Sequence, residues 1–184
     1  MAYLRLVHSA PLEPTPEEDA CVATFARELD YLFETLRRLG ASPGEVEDLA
    51  HDVFLVLHRN WATLDLERPL RPYLFGVAFR IVRAHRRRRA REMPYVVPDV
   101  EDGGTGPDGM LESQQSLELL LAALERVPLT RRAVIILHEL DEMPIADVAR
   151  TLSISRFGAY ARLHKGKREL ATAVRRLQRM GFRK

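Results

Sequence analysis

Cysteine is nearly absent from this sequence: Cys21 stands alone among 184 residues. That excludes an internal disulfide and any Cys-rich zinc site, and it fits a reducing compartment. No apolar run approaches the roughly 20 residues of a membrane span, so membrane insertion is not expected. The opening stretch MAYLRLVHSAPLEPTPEED lacks the basic start and apolar run of a secretory leader. A soluble, cytoplasmic protein is the expectation. Strand-like alternation of useful length is missing too, as is any internal repeat, which leaves an all-α fold. Net charge is small as well, at +2.

That near-neutrality averages strong alternation. Residues 1–67 carry a net −8, residues 68–91 +9, residues 92–125 −8 and residues 126–184 +9. The densest cation is AHRRRRARE (84–92), where Arg86 to Arg89 and Arg91 crowd together. A solvated helix end explains one such block; two, parted by an acidic stretch, point to a polyanionic partner. The apolar content of 46% is that of a folded chain, so wholesale disorder is not expected.

Glycine and proline punctuate the helical periods. The acids of PLEPTPEED (11–19) open a helix near Pro16–Glu18. Phe25, Leu29, Leu32, Phe33, Leu36 and Leu39 continue it as one amphipathic helix ending at Gly40. With Ser42 as cap, Val46, Leu49, Ala50, Val53, Phe54, Val56, Leu57 and Trp61 carry a second helix. TLDLERP (63–69) is a loop, and a third helix begins after Pro69 or Pro72 and runs into the arginine block. Residues 92–113, rich in proline, glycine and acids, read as a flexible acidic linker between two small helical domains. Helical pattern resumes at Leu117, Leu120, Leu121 and Leu124, and a long final helix starts near Arg156.

The most specific local signal is MPIADVARTLSISRFGAYARLHKGKREL (143–170). Ile145, Val148, Ala149 and Leu152 form one face, Ser153-Ile154-Ser155 makes a short turn, and Ser155 is placed to cap the next helix. That helix keeps Ala159 and Leu163 inward and shows Arg156, Tyr160, Arg162, His164, Lys165, Lys167 and Arg168 elsewhere. Helix, short turn and helix with a cationic face is a helix-turn-helix, whose second helix enters a DNA major groove. An ordinary corner in a helical bundle is the rival reading.

GEVEDLAHDVFLVLHRNWATLDLERPLRPYLFGVAFRIVRAHRRRR resembles region 2 of bacterial sigma factors, and LLAALERVPLTRRAVIILHELDEMPIADVARTLSISRFGAYARLHKGKREL resembles their region 4. Two such domains with a short linker resemble an extracytoplasmic-function (ECF) sigma factor. The resemblance divides the chain into an N-terminal extension (1–16), region 2 (17–91), the linker (92–113), region 4 (114–178) and a basic tail (179–184). It implies no cofactor and no enzyme activity. The partners it implies are promoter DNA, core RNA polymerase through the β′ clamp helices and the β flap, and an anti-sigma factor.

Residue by residue, the resemblance places Glu47, Asp48, Leu49, Asp52, Val53 and Phe54 against the clamp helices. It assigns Asn60, Trp61, Arg68, Arg71, Tyr73, Arg80, Arg83, Arg86 and Arg87 to the −10 element. It assigns Arg132, Arg156, Phe157, Tyr160, Ala161, Arg162, His164 and Lys165 to the −35 element. The family's common FRAWLYRIARN is LRPYLFGVAFR here, so the usual Trp is Tyr73, an Arg is Gly76, and the pocket Asn is Arg80. In the recognition helix, GTVKSRL becomes FGAYARL, with Tyr160 and Ala161 in place of basic and hydroxyl groups. Readout at −35 is therefore expected to be unusual.

Two rivals remain. The pair His51-Asp52 suggests a metal-dependent HD phosphohydrolase, but the other histidines lack the spacing for a metal shell. A dimeric helix-turn-helix regulator of duplex DNA explains residues 126–184 and leaves the acidic helix and the aromatic-rich 60–80 segment idle.

Overall fold

The computed structural model describes residues 15–92 and 110–181, of which 110–113 are described by their backbone alone. The linker at 93–109, most of the N-terminal extension and the last three residues of the tail lie outside the described residues. Among those described, the structure is all-helical. The first half holds α1 (Pro16–Arg27), α2 (Leu29–Leu39), α3 (Val46–Asn60) and α4 (Leu70–Glu92). The second holds α5 (Met110–Glu125), α6 (Leu129–Ile135), α7 (Ile145–Thr151) and α8 (Arg156–Arg179).

The single helix expected over Pro16 to Gly40 is two helices, broken at Glu28 (φ −104°, ψ 5°). A capping box at Thr15 and Glu18 starts α1. Only Cys21 of α1 is buried, and Phe25 reaches the Phe54 ring of α3 at 5.0 Å. α2 turns its Leu32, Leu36 and Leu39 stripe into the core. The break lets each helix bury its own face, an outcome that local periodicity does not encode. At the far end Gly40 (φ 90°) closes α2, with Ala41 N–H donating to the Leu36 carbonyl at 2.9 Å.

The helix from Leu129 widens in its last turn, Ile136–Leu140, where Asp141 N–H donates to the Ile136 carbonyl five residues back. Gly166 of α8 lies so close to α6 that a Cβ there would sit 2.9 Å from Ile135 Cδ1. The ion pair Arg131–Glu169 (2.6 Å) ties α6 to α8, and Lys167–Glu139 (3.0 Å) ties the widened turn to α8.

The two halves are not separate cores. One continuous apolar cluster runs from Cys21, Leu36 and Phe75 in the first half to Leu124, Ile136 and Val148 in the second. A smaller one, Ala123, Ala173 and Leu177, joins α5 to α8. The two small helical domains expected from the sequence pack on one another: α2 lies against α5 and α6, and α4 against α7.

Candidate nucleic-acid interface

α3 begins after Ser42, whose N–H donates to the Glu45 carboxylate at 2.9 Å. Its exposed face carries Glu47, Asp48 and Asp52, none in an ion pair among the described residues. Leu49 and Val53, expected beside these acids on a partner-binding surface, point inward and are 3% and 0% exposed. Phe54 is half-buried against Phe25. The heptad-like spacing that made the three apolar residues neighbours of the acids is the same spacing that sends them to the core.

The arginine block splits into two populations. Arg87, Arg88 and Arg91 are exposed. Arg89 donates to Glu45 Oε1 at 2.8 Å, beside His85 at 2.9 Å on the same oxygen. Burial pushes the Glu45 carboxyl up, but hydrogen bonds from Ser42 and His85 outweigh it and bring the pKa down to about 2. Arg86, expected on DNA, is half-buried and donates to the Gly40 carbonyl at 2.9 Å. Burial pulls its guanidinium below the ordinary range, against the favourable Glu125 and Glu45 carboxylates. Arg86 is thus committed to the C-terminal end of α2, where orphan carbonyls and the negative end of the helix dipole meet it.

Arg132 departs furthest from expectation. Assigned to the −35 element, it is fully buried (0% exposed). Its Nη1 donates to the Leu39 carbonyl at 2.8 Å, while Nε and Nη2 donate to the Val127 carbonyl. Burial, then the nearby Arg86, pulls its pKa down to about 9. In this conformation it holds no phosphate; it caps α2 from the other half of the molecule.

Of the remaining −10 candidates, Arg80, Arg83 and Arg87 are exposed on α4 with no carboxylate partner among the described residues. Arg68 pairs with Asp65 at 2.9 Å. Arg71 pairs with Glu28 at 2.8 Å and lies over the Tyr31 ring at 4.9 Å. Asn60 donates to the Val56 carbonyl, and Trp61 and Tyr73 are half-buried against the core.

The helix-turn-helix is formed. Ser155 caps α8, accepting from Gly158 N–H at 3.0 Å. Ala159, Leu163 and Gly166 face inward. Arg156, Phe157, Tyr160, Ala161, His164 and Lys165 share the exposed side, and Arg162 is half-exposed at its margin.

Sequence reasoning missed the junction. Tyr31 donates to Asp141 Oδ2 at 2.9 Å, with Arg38 at 3.8 Å from Oδ1. Burial raises the Asp141 carboxyl against the pull of the Tyr31 hydrogen bond and Arg38. These partners lie 110 positions apart, so no local pattern links them. One signal was present: Gly76, inside a helix where glycine is costly. A Cβ there would sit 3.3 Å from the Thr151 carbonyl oxygen, so glycine is what lets α4 approach α7.

Two family models match this geometry in order: sigma-70 region 2 over residues 24–92, and sigma-70 region 4 over residues 117–170. The chain belongs to the sigma-70 family. It is similar to the RNA polymerase sigma factor NccH of Alcaligenes xylosoxydans xylosoxydans, 24% identical over 153 residues, covering 80% of this chain and 82% of that one. The ECF RNA polymerase sigma factor SigW of Bacillus subtilis (strain 168) is 25% identical over 162 residues, covering 80% and 85%. The fold matches that of the sigma factor RpoE from Bartonella quintana, solved with the anti-sigma factor NepR. There the TM-score is 0.69 at 17% identity, covering 85% of this chain and 98% of that one. CnrH, solved with the cytosolic domain of CnrY, gives 0.60 at 21% identity, covering 84% and 86%. This sigma factor is of the ECF type, an alternative sigma factor of transcription initiation whose partners are core RNA polymerase and promoter DNA. No described helix of it is long and apolar enough to cross a membrane.

Proposed function

We propose that the exposed acids Glu47, Asp48 and Asp52 dock α3 on the β′ clamp helices of core polymerase, while the α5–α8 half seats on the β flap. Arg80, Arg83 and Arg87 hold the −10 element, with Trp61 and Tyr73 beside the bases it opens. The exposed face of α8 enters the major groove at −35, and Arg156, Arg162 and Lys165 clamp phosphates there. An anti-sigma factor is a further partner, as NepR is for RpoE of Bartonella quintana. The site of action is the cytoplasm, and the protein has no chemistry of its own.

One observation carries this reading: an acidic face on α3 and a cationic face on α8, both exposed and unmatched by opposite charge within the described chain. It also entails a conformational change. The two elements lie about 25 base pairs apart, on the order of 85 Å at ~3.4 Å per pair. With α4 packed on α7, no single pose reaches both, so the halves separate when the holoenzyme engages a promoter.

Reconstituted transcription with core polymerase on a library of promoters tests the assignment. Asp48→Arg with Asp52→Arg should abolish co-purification with core polymerase while leaving the helical content intact. Wild-type yield of the complex would remove α3 from the polymerase interface.

A further inference from the structure

Phe157 and Tyr160 are 83% and 57% exposed, whereas every other described phenylalanine is buried or half-buried. Both stand on the first turns of α8, and with Ala161 and His164 they make one solvent-facing stripe at helical spacing. Apolar surface is costly to leave in water, and here it lies between cations. Arg156, His164 and Lys165 have no carboxylate partner among the described residues, and no acid occupies the first turn of α8. A partner for this stripe therefore presents apolar groups set between anions. The DNA major groove does so, through the C5-methyl of thymine flanked by phosphates.

The stripe also lacks the groups that read other base edges. Bidentate recognition of guanine uses Arg or Lys, and that of adenine uses Asn or Gln; positions 157, 160 and 161 hold Phe, Tyr and Ala. We propose that α8 reads the −35 element chiefly through thymine methyl groups, with Phe157, Tyr160 and Ala161 as the reading surface. This rests on placing α8 in the −35 major groove. Arg156, Arg162 and Lys165 then set affinity and orientation, and the methyl contacts set sequence.

The test uses holoenzyme and a promoter fragment selected from a library randomised over the −35 window. In the selected duplex each thymine is replaced in turn by uracil, which removes only the C5-methyl. At least one replacement should weaken binding roughly fourfold, the transfer of one buried methyl-sized group. Phe157→Ser, at a position 83% exposed, should bind the thymine duplex more weakly and show a smaller thymine–uracil difference. Wild-type indifference to every replacement overturns the inference, and so does an undiminished difference in F157S. An F157S holoenzyme with unchanged promoter affinity makes the stripe a protein-docking surface instead. If selection returns a −35 preference without methyl sensitivity, only this inference fails; if it returns no preference at −35, the placement of α8 fails with it.

Discussion

Ser153 shows what a single residue costs in the helix-turn-helix. It adopts φ 53° at the end of α7, its N–H donating to the Arg150 carbonyl at 3.1 Å and the Ile154 N–H to the Ala149 carbonyl at 2.9 Å. That is the left-handed cap at which glycine is usual, because a Cβ there crowds its own backbone. Ser153→Gly is expected to raise stability by about 0.5–1 kcal/mol, read as a higher urea midpoint at unchanged slope. Gly40 is the converse. Its φ is 90°, and a Cβ would collide with the guanidinium groups of both Arg86 and Arg132. Gly40→Ala should cost about 2 kcal/mol, most of it backbone strain and the rest the displaced guanidinium hydrogen bonds. An unchanged urea midpoint would mean that neither the left-handed backbone at Gly40 nor the convergence of the two arginines is as described.

At the scale of elements, Glu45 ties the start of α3 to the end of α4. Its Oε2 accepts from Ser42 and its Oε1 from His85 and Arg89. The folded pKa of about 2 lies below the ordinary carboxylate value of 4.5. A group depressed on folding contributes stability above its unfolded pKa and loses it as pH falls through the folded one. Acid unfolding of the wild type should therefore steepen between about pH 4.5 and pH 2. Glu45→Gln should be less stable at neutral pH and flatter across that window. Denaturant titrations at a series of pH values measure both; parallel curves for the two proteins would show that the pair contributes nothing. On α8, replacing Arg162 and Lys165 by Ala should lower the log–log salt slope of promoter binding by about one per lost phosphate contact.

For the whole molecule, the junction is the decisive feature. Two arginines from different halves cap one helix end, Tyr31 meets Asp141, and α4 meets α7 at a glycine. Gly76→Arg places a long cation where 3.3 Å separates a Cβ from the Thr151 carbonyl. Its expected effect is to part the halves, seen as a larger radius of gyration in small-angle scattering, with holoenzyme assembly retained. The same scattering profile as the wild type would show that the contact tolerates bulk and that Gly76 is not what permits it. A second outcome belongs to this scale: holoenzyme should prefer a forked −10 substrate over the fully paired one, because an unpaired base spares a few kcal/mol of unstacking.

Most helix positions, the break at Glu28 excepted, the Ser155 cap, the inward face of α8 and the two-region plan were legible in the sequence, because each depends on residues a few positions apart. A 3.6-residue period, a capping serine or a charge block is a local signal, and burial followed it at Leu36, Val53 and Leu163. The roles of individual arginines were not legible. Arg86 and Arg87 are adjacent in one run, yet one caps α2 and the other faces solvent. Arg132 lies in a cationic domain and is its most deeply buried charge. Whether a guanidinium meets water, phosphate or a carbonyl is set by which helix end the fold brings beside it. Those carbonyls are distant in sequence: Leu39 lies 93 positions from Arg132, in the other half of the chain, and Gly40 lies 46 positions from Arg86. Sequence decided which faces are apolar and which are charged; only the tertiary packing, within each half and between them, decided which charges are left free for a partner.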